Sequence, residues 1–359
     1  MMNKELSQSL KATALCLVTL IMTLALSPVS HAQSFIFDHQ NPDHFNFNQE
    51  LSGRIFDSFH SKDFNRILPW KASPSWDAKT QTFRCLKLIP RVEAHNRVNT
   101  ARLIKNKKGD CADLSSVSLL GAPLYKAQLI GALLRGDDLT GAKFDMADLR
   151  SADLTKTTSL GNTSFNGADL RDAQMSDLSF QKPSFIKGNL QNVQLLGASL
   201  PDADFTQAQL QGARLWTTDI RGSRFVGAQM QGASLIGANA IRNPDSNATT
   251  NFSDAKMANA NLSHGRFDQA DFSGADLSHA EFLDAILTNA VFTNANLQNA
   301  EIIAKDISGA NFERADLRGA KIAGSFKGAV FTNAIYDDQT FPHVSDAVAK
   351  KLGMIKKEP

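Results

Sequence analysis

Large apolar residues recur every five positions through most of the chain. The series runs over residues 114–154, 160–240, 252–322 and 326–341, and most of its members have Ala two positions earlier. A helix repeats near 3.6 residues and a strand repeats at 2, so a period of five fits neither. It indicates a chain that turns a corner every five residues, with the large residue and the small residue both pointing inward.

Phenylalanine adds a second period of twenty. One extra residue separates the first two members of this phenylalanine column, one residue fewer separates the last two, and a longer break falls in the middle. The column contains Phe144, Phe165, Phe185, Phe205, Phe225, Phe252, Phe272, Phe292, Phe312 and Phe331. If four sides of five residues close one square coil, residues twenty apart lie above one another. Roughly 11 coils at about 4.8 Å each predict a rod about 50 Å long.

These residues resemble the pentapeptide-repeat family, whose motif is Ala-(Asp/Asn)-Leu-x-x. Matches include Ala168-Asp169-Leu170, Ala275-Asp276-Leu277 and Ala315-Asp316-Leu317. The resemblance covers residues 109–341 and implies an all-β solenoid, a right-handed quadrilateral β-helix. Residues 335–342 also resemble a closing coil of that family.

The first 32 residues are typical of a cleaved secretory signal. Lys4 and Lys11 flank a polar start, an apolar run covers residues 12–26, and Ser30 and Ala32 supply the small residues of a cleavage site. The run is short for a membrane span, although an uncleaved anchor is the alternative. The sequence therefore predicts a periplasmic or secreted protein with no membrane span after cleavage.

Two cysteines, Cys85 and Cys111, follow the signal. An even pair in an exported chain favours a disulfide, and the alternative is two buried free thiols. The disulfide would join the N-terminal region to the first coil, and closing this loop is worth about 3 kcal/mol in the chain-entropy model.

Residues 33–108 lack the five-residue period and are rich in aromatic residues. They carry a charge of about +6, whereas residues 109–341 carry about −7. A solenoid needs its open ends covered, so we expect a small cap of α/β or irregular structure over the first coil. A recognition domain for a surface ligand is the alternative. Residues 91–107 are expected to be helical, and the four histidines of this region match no metal signature.

Residues 241–251 interrupt the repeat. The next member of the phenylalanine column is due at position 245 but arrives at Phe252, so seven residues must loop out. Turn-forming residues dominate this segment. It is the candidate protein-contact loop, and a tolerated surface insertion is the alternative. The candidate contact residues are Arg242, Asn243, Asp245 and Asn247.

Residues 342–359 are expected to close the rod. Ser345 can cap a short helix that ends at Leu352 before Gly353, with Val344, Val348 and Leu352 on the face that covers the last coil. Residues 355–359 have nothing obvious to pack against and are expected to be a frayed tail.

Motifs for catalysis, phosphate binding or metal binding are absent from the sequence. The outward positions are expected to be solvated and the rod to lack a pocket. We therefore expect no enzyme activity, no cofactor and no metal. The expected function is a non-catalytic exported scaffold that binds another, unknown protein and is a monomer, since both ends have candidate covers.

Two other functions remain open. The first is an exported effector that acts on a host or competitor cell. The second is implied by the resemblance, because the family includes DNA-mimic regulators of gyrase, a topoisomerase. The weak acidity of the repeats and the secretory signal argue against that role, and we do not expect nucleic acid as a partner.

Overall fold

The computed structural model describes residues 97–115, 117–159, 161–340 and 346–357 of the chain. The repeats form a stack of four-sided coils. Each side of a coil contributes a parallel bridge to the coil before it and the coil after it, as Ser184 does with Ser164 and Asp204. The chain is therefore a right-handed quadrilateral β-helix, which confirms the predicted fold.

The described residues also contain two helices and six short strands. Helix α1 (Arg97–Asn106) precedes the first coil, and helix α2 (Asp346–Lys351) follows the last. Three pairs of parallel strands lie between and beyond them. The pairs are β1 (Thr158–Ser159) with β2 (Ser179–Phe180), β3 (Glu301–Asp306) with β4 (Lys321–Ser325), and β5 (Ile335–Tyr336) with β6 (Ile355–Lys356).

Four inward columns fill the interior, one from each side of the rod, and we number the sides faces 1 to 4 in chain order. Almost all of the large residues of the four columns are buried, and so are most of the alanines two positions before them. A narrow interior at crystal-like packing density has no room for two large side chains from each side. Face 1 holds the phenylalanine column; face 2 includes Leu170, Leu190 and Leu210; face 3 includes Met175, Leu195 and Leu215; and face 4 includes Phe180, Leu200 and Ile220.

The ten phenylalanines of face 1 stack in a single file. Centroids of adjacent rings lie 4.7–5.0 Å apart, and the planes of adjacent rings are inclined by 2–12°. The file continues through each irregularity of the sequence, including the step from Phe225 to Phe252. The distance between ring centroids equals the distance between neighbouring strands, so each coil lies directly on the coil before it.

The bridge register places the irregularities where the spacing predicted them. Most partners are twenty residues apart, but Lys143 pairs with Ser164, Arg224 with Asn251, and Asn311 with Val330. The first slip lies at the corner after Ser159. Ser159 is buried and fills the inward position of its side, whereas Leu160, which was expected there, lies outside the described residues.

The last slip precedes a predicted core residue that is not buried. The last coil is one residue shorter than the coil before it, and the shortening falls at Gly324. Gly324 has a φ of +136°, and a Cβ added to it would lie 2.3 Å from the Ala304 carbonyl oxygen. Phe326 follows this corner and is 50% exposed, so the prediction that it is a buried core residue is wrong. It belongs to the last full coil, and no further coil among the described residues covers that side.

The C-terminal tail is ordered where the sequence suggested fraying. β6 adds a parallel strand to β5, with Ile355 opposite Ile335, and Lys356 forms an ion pair with Asp338. The predicted frayed tail is therefore wrong for Ile355 and Lys356. Ile355 lies twenty residues after Ile335, so the tail continues the repeat for one more short strand.

Helix α2 also differs from the prediction in its buried face. Ala349 and Met354 are buried, whereas Val348 and Leu352 are exposed. The helix has only six residues, and Gly353 with a φ of +74° turns the chain so that Met354 points inward. Val344, the third residue of the predicted face, lies outside the described residues.

The N-terminal end of the core is covered by α1. Leu103 is buried there, and a Cβ added to Gly109 would lie within 3 Å of the side chains of both Leu103 and Leu129. Gly109 therefore lets the helix approach the first coil closely. The predicted signal, most of the predicted N-terminal domain, its histidines and Cys85 lie outside the described residues, and the Cys85–Cys111 disulfide stays a prediction.

Gly265 shows that the space inside the core limits which residues can occupy an inward position. It occupies an inward position where most repeats have Ala, and its added Cβ would lie 2.4 Å from Cε2 of the buried Phe267. We expect Gly265→Ala to lower the free energy of unfolding by about 1–3 kcal/mol although it restores the family motif. Urea unfolding would measure this change. The double variant with Phe267→Leu should recover most of the loss, and a Gly265→Ala variant more stable than the parent would contradict the explanation.

Candidate protein-contact surface

Aspartates and arginines two residues apart pair on the surface of the rod. In each pair an arginine Nη2 lies 2.6–2.7 Å from a carboxylate oxygen. The hydrogen bond to the carboxylate raises the pKa of each arginine. The pairs are Asp148 with Arg150, Asp169 with Arg171, Asp219 with Arg221, and Asp316 with Arg318. Because these carboxylates form ion pairs with arginine, they are poorly suited to acid–base catalysis.

The described residues contain neither a cluster of metal-ligating side chains nor a helix that could span a membrane. No group of three or more His, Cys, Asp or Glu residues in that part of the chain is placed to hold a metal ion. Within the same residues, no helix combines the length and the apolar character that crossing a membrane requires.

The predicted contact loop folds back on the rod as a compact turn. The Asn243 amide donates to the Ala248 carbonyl at 2.7 Å, and the Ser246 hydroxyl donates to Asp202 at 2.6 Å. Asn243 is only 2% exposed, so its selection as a contact residue is wrong: the side chain packs against the corner at Gly222. The other three candidates, Arg242, Asp245 and Asn247, are exposed, and their contact role stays a prediction.

Face 3 carries a line of large apolar side chains on its outer surface, which the sequence analysis missed. Each one directly follows an inward residue of face 3, on successive coils, with Ser263 as the single polar member between the third and the fourth. We call this line the apolar strip. It consists of Leu196, Trp216, Ile236, Leu283 and Ile303. Reading the residue after each centre at a period of twenty would have found it.

The backbone of face 3 holds the strip in register. Gln194, Arg214 and Ser234 form consecutive parallel bridges directly beside it. The indole Nε1 of Trp216 donates a hydrogen bond to the Ser234 hydroxyl at 2.6 Å, which orients the ring. With Ser263 included, the strip spans six coils and is therefore about 24 Å long.

Exposure varies along the strip. Its first three members are half-buried, whereas Leu283 and Ile303 are 42% and 41% exposed. Leu and Ile side chains this exposed, in line on one flat surface, are typical of interaction sites rather than of ordinary solvated strands.

The end of the strip near Ile303 is acidic. Glu281 and Glu301 precede the inward residues of the same two coils, and Glu281 accepts a hydrogen bond from Asn261 at 2.7 Å. Glu301 lies 2.6 Å from the Lys321 amine. The carboxylates thus form a polar margin beside the two most exposed apolar side chains.

Asp177 borders the other end of the strip. Its amide donates to the Leu196 carbonyl at 2.9 Å, which places it at the corner beside that residue. Burial raises the pKa of the Asp177 carboxyl, and the charge of Lys156 opposes this shift. Solvent access is therefore already reduced at this corner.

The comparisons with known proteins agree with the fold. Eight copies of the family profile described as pentapeptide repeats match the chain, over residues 118–155, 138–172, 184–216, 250–289 and 270–303. No curated protein matches the chain significantly in sequence.

Several solved structures are similar. HetL, a pentapeptide repeat protein involved in heterocyst differentiation regulation from the cyanobacterium Nostoc sp. strain PCC 7120, is 24% identical and has a TM-score of 0.31; the match covers 67% of this chain and 94% of HetL. QnrB1, a plasmid-mediated fluoroquinolone resistance protein, is 18% identical with a TM-score of 0.24, over 63% and 97% of the two chains. A pentapeptide repeat protein of the Arabidopsis thaliana thylakoid lumen is 22% identical with a TM-score of 0.17, over 42% and 73%.

Proposed function

This chain is a pentapeptide-repeat protein, and on that premise we propose that it is a non-catalytic exported protein that binds a protein partner through face 3. The observation that carries the proposal is the apolar strip. Five large apolar side chains lie in line on a rod whose other outward positions are mostly polar. Such surfaces gain free energy when a partner removes them from water.

The backbone of face 3 decides what kind of partner segment fits. Its amide and carbonyl groups are bonded between successive coils, so a partner cannot extend the sheet by adding a strand. The contact must be made by side chains. An amphipathic helix of about 16 residues has the length of the strip, and its apolar face would cover the five side chains. Lysine or arginine beside that face would meet Glu281 and Glu301.

Export is part of the proposal. The signal features of residues 1–32 and the predicted Cys85–Cys111 disulfide both support a location outside the cytosol. An effector that acts on a host or competitor cell would use the same surface on a different partner. The DNA-mimic function is less well supported, because residues 109–341 carry a net charge of only about −7 and arginines pair with several of their aspartates.

A designed helix tests the proposed contact directly. The probe is a labelled peptide of about 18 residues with leucines on one face and lysines on the other, titrated with the mature protein by fluorescence anisotropy. We expect Trp216→Ser to weaken binding about tenfold or more, because the indole is the largest side chain of the strip. Val226→Ser, which changes a half-buried apolar residue on the outside of face 1, is the matched control and should leave affinity unchanged.

Charge reversal and a scrambled peptide complete the test. Glu281→Lys with Glu301→Lys should weaken the lysine peptide and strengthen a glutamate version of it. Equal binding of a scrambled peptide without an apolar face, or equal loss in the Val226→Ser control, would refute the assignment to face 3.

A further inference from the structure

A polar cleft opens at the corner that holds the additional residue of the first slip. It is a shallow, open groove with a volume of about 520 Å³ and extends along faces 4 and 1 over neighbouring coils. It was not expected from the sequence, which suggested a rod without a pocket. The side chains that matter for its chemistry are Tyr125, Lys143, Asp145, Ser164, Asn166 and Lys182.

The floor of the cleft is held rigidly by the coils beneath it. Asp145 accepts hydrogen bonds from the Ser164 hydroxyl at 2.7 Å and from the Asn166 amide at 3.1 Å. The Asn166 side-chain oxygen accepts in turn from the Ser184 hydroxyl at 2.6 Å and from the Ile186 amide at 3.0 Å. These bonds hold the Asp145 carboxylate in place, and it can still accept further hydrogen bonds. Beside it, the side-chain NH₂ group of Asn166 has no acceptor among the described residues.

Two lysines form the walls. The Lys143 amine donates to the Asn162 carbonyl at 2.9 Å, and Lys182 is exposed. Among the ion pairs of the described residues, none involves either amine. With Asp145 as the one carboxylate of the cleft, the lining carries a net positive charge, which favours an anionic ligand.

An aromatic ring closes the end of the cleft. Tyr125 lies one coil before Asp145 in the same outward column and is 50% exposed. An exposed tyrosine presents an apolar ring face together with a polar hydroxyl. A flat ligand with one apolar face and many hydroxyl groups can stack on it.

We propose that this cleft binds a uronic-acid unit of an acidic polysaccharide. The sugar hydroxyls would bond Asp145, Ser164 and the Asn166 carboxamide, and the sugar carboxylate would lie between Lys143 and Lys182. The apolar face of the ring would stack on Tyr125. A simple anion would gain nothing from the tyrosine or from the hydrogen-bonding groups around Asp145, whereas a neutral sugar would gain nothing from the two positive charges. The site is separate from face 3 and does not depend on the proposed protein contact.

Calorimetric titration of the mature protein with trigalacturonic acid at low ionic strength tests the proposal. We expect saturable binding that Tyr125→Ala weakens about tenfold. Lys143→Gln and Lys182→Gln should each weaken it up to about fivefold, the range expected for one exposed charge pair. Lys327→Gln, an exposed lysine at the other end of the rod, is the matched control and should change nothing.

Two further ligands separate the possible explanations. Maltotriose, a neutral trisaccharide, should bind much more weakly, and inorganic phosphate should not compete at equal charge concentration. Equal affinity for maltotriose, full competition by phosphate, or no detectable binding of trigalacturonic acid would each overturn the proposal. Unchanged thermal unfolding of the Tyr125→Ala variant would show that a loss of binding does not come from loss of the fold.

Discussion

Phe205→Ala is expected to lower the free energy of unfolding by about 3–5 kcal/mol, because it removes a buried ring and leaves a cavity. Phe205 is fully buried, and its ring centroid lies 4.7 Å from those of Phe185 and Phe225. The substitution therefore removes two stacking contacts at once. Urea unfolding would measure the loss, and Phe326→Ala is the control, with an expected cost below about 1 kcal/mol because that ring is half exposed.

The damage from Phe205→Ala should remain local. Each coil contacts only the coils beside it, so a defect spreads through nearest neighbours. Hydrogen exchange should show lost amide protection around Phe185 and Phe225 and native protection around Phe292 and Phe312. Uniform loss of protection along the rod would contradict this expectation.

Asp337→Ala is expected to cost about 1–3 kcal/mol of stability in the closing coil, since it removes one acceptor that is shared by four hydrogen bonds. One oxygen, Oδ1, accepts from the amides of Gly319, Gln339 and Thr340 at 3.0–3.1 Å and from the Thr340 hydroxyl at 2.8 Å. Asp337→Asn keeps an acceptor oxygen but loses the charge, so its cost should be intermediate. Urea unfolding with a probe near the C terminus would report both changes.

The same carboxylate predicts a pH dependence. Burial alone would raise the pKa of Asp337, but the hydrogen bonds from Gly319, Thr340 and Gln339 outweigh it and lower the pKa. A group with a lowered folded-state pKa contributes stability above its unfolded pKa and loses that contribution as pH falls through the folded pKa. The difference in stability between the parent and Asp337→Asn should therefore be constant above about pH 5 and narrow as the pH falls below about 4. A constant difference would show that charge is not the cause.

The core was predictable from sequence because its packing repeats. One period of five defines the sides and one of twenty defines the coils, so the phenylalanine file and the positions of the two one-residue slips follow from counting. The seven-residue excursion before Phe252 was located in the same way, since a column that must stay in line shows every insertion.

The errors occurred where the repeat meets an end or the outer surface. Phe326 has the right spacing for the core, but inward position implies burial only when another coil follows. Ile355 was taken for part of a frayed tail although its distance from Ile335 is one full coil. The burial of Asn243 depends on how a loop folds back, for which the local sequence contains no periodic signal.

The two candidate sites were missed for different reasons. The apolar strip is periodic, but each member sits among polar neighbours in sequence, so it becomes visible only when outward positions are aligned at twenty. The cleft is different. Its tyrosine, lysines and amide come from different coils, so no short stretch of sequence contains the group.

The number of residues in the loop at residues 241–251 indicates which insertions and deletions this protein can accept during evolution. Because seven residues leave the rod and return to the same corner, Leu283 and Ile303 stay on the side that carries Leu196 and Trp216. Five residues absorbed as one more side would instead rotate everything downstream by a quarter turn and divide the strip between two sides. We expect lineages of this protein to gain or lose whole coils or free loops, while single added repeats are eliminated by selection.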